Sequence, residues 1–167
     1  MIIHDKDCFL LDLDGTLLDL KFDHKFWFEH VVLCFSQKEK IEFEDAKNTL
    51  SELYKNERGT LKWYCTDYWS EKLGLDLKRI TETYMNDIQD FEGTHSFLAN
   101  LQSMKKTIII VSNAHRDTIN IKLTKTKLWG YFDDVISSHD FGYPKEDINF
   151  WINPVSYTHL TLPTMDH

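Results

Sequence analysis

Two carboxylates, Asp12 and Asp14, stand two positions apart at the end of a short apolar run, "CFLLDLDGT". Side chains at this spacing share one face of an extended strand. So close a pair repels itself unless a cation joins it, and a hard cation favours oxygen ligands. Gly15 permits a sharp exit turn; an ordinary acidic turn is the plainer reading of Asp-Gly. A second cluster, Ser112-Asn113, follows the β-branched run "TIIIV". A hydroxyl beside backbone amides can hold a phosphoryl oxygen, and the same residues can equally cap a helix. A third, Lys145, follows "FGYP" and opens the element after another apolar run. Together the clusters offer a nucleophile, an anchor and a counter-charge.

These clusters need strands behind them. Cys8–Asp14 reads as a buried strand, Thr107–Ala114 as a central parallel strand and Asp134–Ser138 as a short third one. A helix is expected from about Asp117 to Leu128. Between about Phe22 and Gln89 the periodicity is helical. Trp27, His30, Val31 and Cys34 share a face, as do Ala46, Leu50, Leu53 and Tyr54. Leu61, Tyr64, Tyr68 and Leu73 follow at helical spacing with Gly74 as C-cap, and "LKRITETYMNDIQ" makes a fourth helix. The order predicts an α/β fold with a parallel sheet, interrupted early by an all-helical insert. In such sheets ligands bind beyond the carboxyl ends of the strands, where all three clusters fall.

The composition narrows the partners. A chain of 167 residues with 42% hydrophobic content can bury a core as one domain carrying a modest insert. A net charge of −8 disfavours nucleic acid and anionic membranes as partners. It still allows a small anionic substrate where a metal ion reverses the local field. Cys8, Cys34 and Cys65 form no Cys-x-x-Cys pattern and read as reduced thiols. The N-terminus meets Asp and Lys too early for a signal peptide, and no apolar run reaches spanning length. A cytoplasmic protein is expected.

"LLDLDGTLLD", "IIIVSNA" and "GYPKED" resemble, in order, the first three motifs of the haloacid dehalogenase superfamily of phosphohydrolases. "DGTLLDLKFDHKFW", "TLKWYCTDYWSEKLGLD", "SNAH" and "FGYPKED" are similar to the bacterial GMP/IMP nucleotidase family, from about Cys8 to Trp151. The resemblance implies a Rossmann-like core formed by residues 1–18 and 94–153. A helical cap, 19–93, would close over the site on hinges near Leu18–Asp19 and Phe91–Gly93. It implies that Asp12 attacks phosphorus to form an aspartyl-phosphate, while Asp14 protonates the leaving oxygen and then activates water. Mg²⁺ would be held by the Asp12 carboxylate and the Asp14 carbonyl. Ser112 would orient the phosphoryl group, Lys145 would offset its charge, and Gly15, Thr16 and Asn113 would bind phosphate. The implied substrate is a purine nucleoside monophosphate; a phosphoglycolate or sugar-phosphate phosphatase and a non-catalytic binding protein are the alternatives. Phe22, Trp27, Trp63, Tyr64 and Trp69 could stack a purine or simply pack the cap. His115 would lie near the site mouth or cap a helix.

The last stretch reads differently. "PVSYTHLTLPT", residues 154–164, has no Asp, Glu, Lys or Arg and resembles a translated sequencing adapter. No apolar strand ending in acids follows Lys145, so the superfamily's fourth motif is missing. The expectation is a core cut short near Asn153, with residues 154–167 non-native and the first strand left at an edge. Such a chain is expected to be inactive by itself, and Tyr157 and His159 are given no role.

Overall fold

The run "TIIIVS" forms the middle strand, and its alternation decides what packs where. The computed structural model describes residues 7–152, so the reading of 154–167 lies outside the described residues. Chain order is β1 (Cys8–Leu11), α1 (Lys21–Lys25), a π-helical turn (Phe26–His30), α2 (Val31–Glu39) and α3 (Phe43–Glu57). Then come α4 (Thr66–Leu73), α5 (Leu77–Thr83), α6 (Thr94–Ser103) and β2 (Thr107–Ser112). The chain continues through α7 (Arg116–Thr126), β3 (Asp134–Ser137) and α8 (Ile148–Ile152).

The strands are parallel, in the order β1-β2-β3, with Leu10 opposite Ile109 and Val111 opposite Ile136. Ile108 and Ile110 turn to one face and pack with Leu98 and Leu101 of α6 and Ile119 and Leu123 of α7. Ile109 and Val111 turn to the other, against Ile136 and the fully buried Phe150 of α8. A strand covered on both faces needs a continuous apolar run, which is what the sequence carries. All three strands point their carboxyl ends the same way, and the chemistry-bearing residues follow those ends.

The first strand is shorter than expected. It stops at Leu11, and the Leu13 carbonyl gathers the amides of Thr16, Leu17 and Leu18, at 3.3, 2.9 and 3.0 Å, curling the chain at once. Gly15 sits in this curl at φ +80° and donates its amide to Leu18 at 2.8 Å. That conformation strains any residue with a Cβ. Asp12 and Asp14 therefore belong to a turn, not to one face of a strand. The fourth helix of the insert also ends early: α5 stops at Thr83, and Met85–Asp87 is a 3₁₀ turn.

Residues from 22 to 88 build a separate apolar cluster around Trp69, Leu50, Ala46, Val31 and Leu77. Trp69 is fully buried, meets Trp27 and Tyr54 edge-on, and donates its indole N–H to the Trp63 carbonyl at 3.1 Å. Gly74 ends α4 in the left-handed conformation, as the sequence suggests. Truncating Trp69 removes the largest side chain of this cluster. Trp69→Ala should cost about 3–5 kcal/mol of stability in chemical denaturation; a cost under about 1 kcal/mol would contradict this packing.

The chain enters and leaves the helical module at adjacent points. The Asp19 amide donates to Gln89 at 2.9 Å and the Phe91 amide to Leu17 at 3.0 Å, so the two linkers pair antiparallel. The Thr94 hydroxyl adds a bond to the Leu17 carbonyl at 2.9 Å. No helix among the described residues is long and apolar enough to cross a membrane.

Candidate active site

The turn after β1 sends its two acids to two different lysines. Asp12 Oδ1 accepts the Leu13 amide at 2.8 Å and lies 2.8 Å from Lys145 Nζ. Lys145 is held in turn by Asn113, whose side-chain oxygen accepts the Lys145 amide at 2.7 Å. The Asn113 amide nitrogen donates to both Glu146 oxygens, at 2.9 and 2.7 Å. Asn113 thus uses its side chain to fix the loop that delivers the lysine. The Ser112 hydroxyl, at the end of β2, is buried and accepts the Ala114 amide at 3.1 Å.

Asp14 Oδ1 lies 2.7 Å from Nζ of Lys122, a residue that the motifs of the sequence do not single out. The same ammonium lies 2.6 Å from Oδ1 of Asp23 on α1. Lys122 is 1% exposed. Burial alone would lower its pKa, but the Asp14 and Asp23 carboxylates outweigh that and hold it above the usual lysine value. Burial pushes the Asp23 carboxyl upward, only partly opposed by Lys122. The repulsion expected between neighbouring carboxylates is relieved here by two ammonium groups. Lys122 did leave a signal: it falls on the buried stripe of α7 with Ile119, Leu123 and Thr126, where a lysine is out of place unless paired.

Asp12, Asp14, Ser112, Asn113 and Lys145 line one cavity of about 430 Å³, a size suited to a small organic ligand. Phe22, Phe26, Trp27, Phe28, Tyr54, Trp63 and Tyr64 also line it. Of the aromatics noted in the sequence, Trp69 is not part of that lining; it packs the helical module instead. Gly15 and Thr16 do not line the cavity either. Their amides bond to Leu18 and Leu13 at 2.8 and 3.3 Å, so they shape the turn. Burial raises the Tyr64 phenol above its ordinary value, with Glu146 and Asp12 adding to it and a hydrogen bond with Asn113 opposing it. The helical module therefore reaches the core at this point.

His115 makes a second junction. Its Nδ1 accepts the Asp117 amide at 3.2 Å, capping α7, which leaves Nε2 to donate to Asp67 of α4 at 3.0 Å. His115 thus both caps a helix and lines the cavity. Asp67, His115 and Asp117 also bring three potential ligand atoms within 4.8 Å of one another, but both ring nitrogens already have partners. For a hard cation Asp12 is better placed chemically. Among the described residues both of its contacts fall on Oδ1, which leaves Oδ2; the Asp14 carbonyl offers a second oxygen. Both are hard oxygen donors of the kind Mg²⁺ takes, and they would supply part of its six-ligand shell.

The family model for haloacid dehalogenase-like hydrolases matches residues 9–156. The chain is 41% identical over 147 residues to the GMP/IMP nucleotidase YrfG of Escherichia coli (strain K12), covering 88% of this chain and 66% of that protein. The corresponding Shigella flexneri protein gives the same values. The chain therefore spans just under two thirds of these relatives' length. Among solved structures, a HAD phosphatase from Thermococcus onnurineus superposes with a TM-score of 0.77 at 22% identity, covering 93% of this chain and 72% of that one. An L-2-haloacid dehalogenase from Xanthobacter autotrophicus gives 0.56 at 17% identity, covering 94% and 66%. Both share the fold.

Proposed function

The chain belongs to the family of haloacid dehalogenase-like hydrolases, and from that premise we propose that it carries the catalytic centre of a Mg²⁺-dependent 5′-nucleotidase acting on purine monophosphates. The observation that carries this reading is the pair Asp12–Lys145 and Asp14–Lys122 in one aromatic-walled cavity. Asp12 is the nucleophile: its free carboxylate oxygen attacks phosphorus as the bond from phosphorus to the nucleoside 5′-oxygen breaks. The Asp14 carboxyl gives its proton to that leaving oxygen, and the phosphoryl group remains on Asp12. Asp14, now a carboxylate, takes a proton from water as the water oxygen attacks phosphorus. The bond from phosphorus to Asp12 breaks, phosphate leaves and both acids return to their starting forms. Mg²⁺, when bound by Asp12 and the Asp14 carbonyl, supplies charge neutralisation for the transferring group.

The chain's own residues account for the rest. Lys145 offsets the negative charge of Asp12 and the incoming phosphate, and Asn113 keeps it there. The Ser112 hydroxyl is placed to orient a phosphoryl oxygen. The helical module acts as a cap, opening at the paired linkers around Leu17–Asp19 and Gln89–Phe91 to admit substrate and closing to exclude water. A purine stacks against its aromatic wall. That wall is poorly matched to phosphoglycolate or a sugar phosphate, whose leaving groups offer no aromatic ring to stack. The 41% identity to a GMP/IMP nucleotidase supports the same choice.

The test is phosphate release by the full gene product with and without Mg²⁺, across GMP, IMP, AMP, phosphoglycolate and sugar phosphates. GMP and IMP are expected to exceed phosphoglycolate by at least about tenfold in kcat/KM. A preference for phosphoglycolate or a sugar phosphate would overturn the purine assignment.

A further inference from the structure

Lys122 does more than fill a place in the core. We propose that it is the positioning residue of the leaving-group side, aligning Asp14 and making that alignment depend on the cap being closed. This rests on the phosphomonoesterase reading above.

Three elements meet on one ammonium: Lys122 itself from α7, Asp14 from the turn after β1, and Asp23 from α1 of the helical module. The partners lie 108 and 99 positions away in sequence. Packing alone does not call for this arrangement. Lys122 occupies an apolar stripe with Ile119 and Leu123, where a methionine would fill comparable space without any charge to desolvate. The neighbouring carboxylate is also imperfectly served, since Asp23 Oδ2 is buried without a hydrogen-bond partner among the described residues. A buried ammonium between two acids is costly to dehydrate, so its short bonds of 2.7 and 2.6 Å select geometry more than they add stability.

The geometry that results is useful at one point in the reaction. Among the described residues Asp14 is gripped through Oδ1 alone, which orients the carboxyl plane and leaves Oδ2 to meet the leaving oxygen. Asp23 moves with the helical module. When the module swings away, Lys122 loses one of its two acids and Asp14 loses a stiff partner. When it closes, the ammonium is held from both sides and Asp14 is fixed. A proton is then delivered only over a closed site. Phe22, on the same helix as Asp23, lies with its ring 5.8 Å from the ammonium and helps to exclude water from it.

Such a residue matters in proportion to how much the leaving group needs a proton. A nucleoside 5′-oxygen departs as a poor anion without one, whereas p-nitrophenolate departs readily. The experiment therefore compares wild type, Lys122→Met and Asp23→Asn in the full gene product, on IMP and on p-nitrophenyl phosphate with saturating Mg²⁺. Lys122→Met is expected to lose about a hundredfold in kcat on IMP and less than about fivefold on p-nitrophenyl phosphate, with KM for each within about threefold. Asp23→Asn should show the same bias at about tenfold, and it decides the matter if Lys122→Met does not fold. Equal losses on the two substrates, or none on IMP, overturn the proposal. If wild type prefers another alkyl phosphate, that ester replaces IMP, so failure of the purine assignment leaves this inference standing. A wild-type protein inert to every phosphate ester overturns both.

Discussion

Asp12→Asn is expected to abolish turnover while leaving substrate binding in place. The amide oxygen can still accept the Leu13 amide and the Lys145 ammonium, so the turn and its ion partner keep their geometry. What disappears is the anionic oxygen proposed to attack phosphorus, because a neutral amide oxygen is a far weaker nucleophile. The loss in kcat should be on the order of 10⁴-fold or more, the scale seen when a covalent nucleophile is removed. Binding of GMP, followed by calorimetry, should stay equal or tighten, since a negative charge facing the phosphate has been removed. Near-normal turnover would remove Asp12 from the role of nucleophile.

Lys145→Met should produce the next largest effect. Nζ sits 2.8 Å from the Asp12 carboxylate, and no other ammonium touches that acid among the described residues. Without it, an anionic nucleophile must approach a phosphate dianion with less compensating charge. At an effective dielectric of about 20, two unit charges about 4 Å apart interact by about 4 kcal/mol. A fall of about 10²–10³-fold in kcat/KM is therefore expected, the range found when one donor that stabilises developing charge is lost. The fold should survive, because the Lys145 backbone is fixed independently by Asn113 at 2.7 Å and by Trp151, whose indole donates to the Lys145 carbonyl at 2.7 Å. Steady-state kinetics alongside a thermal melt separates the two effects. A loss below about threefold would show that Lys145 does not offset the charge at Asp12.

Much of this site is legible in the amino-acid sequence. The apolar run ahead of Asp12, the β-branched run ahead of Ser112 and the loop carrying Lys145 are local patterns, each within a few residues. The alternating burial of Ile108 to Val111 follows from a strand covered on both faces. Other features left weaker traces. Asp12 and Asp14 share a face when a strand is drawn through them, and only the Leu13 carbonyl, gathering three amides, shows that the strand has already ended. Trp69 and Trp63 both pack in the helical module, yet only Trp63 also lines the cavity. Periodicity identifies a buried face without saying what it is buried against.

By itself the sequence determined the type of chemistry: an acid pair, a hydroxyl and a lysine, each behind an apolar element, because residue type and spacing along one segment suffice for that. Only the tertiary structure decided which cation each acid meets. Lys122 reaches Asp14 and Asp23 across 108 and 99 positions, and Asp67 reaches His115 across 48. Contacts so distant leave no period in the chain. They form because burial brings the helical module and the core onto the same side of the sheet's carboxyl end, where a buried charge persists only beside its partners.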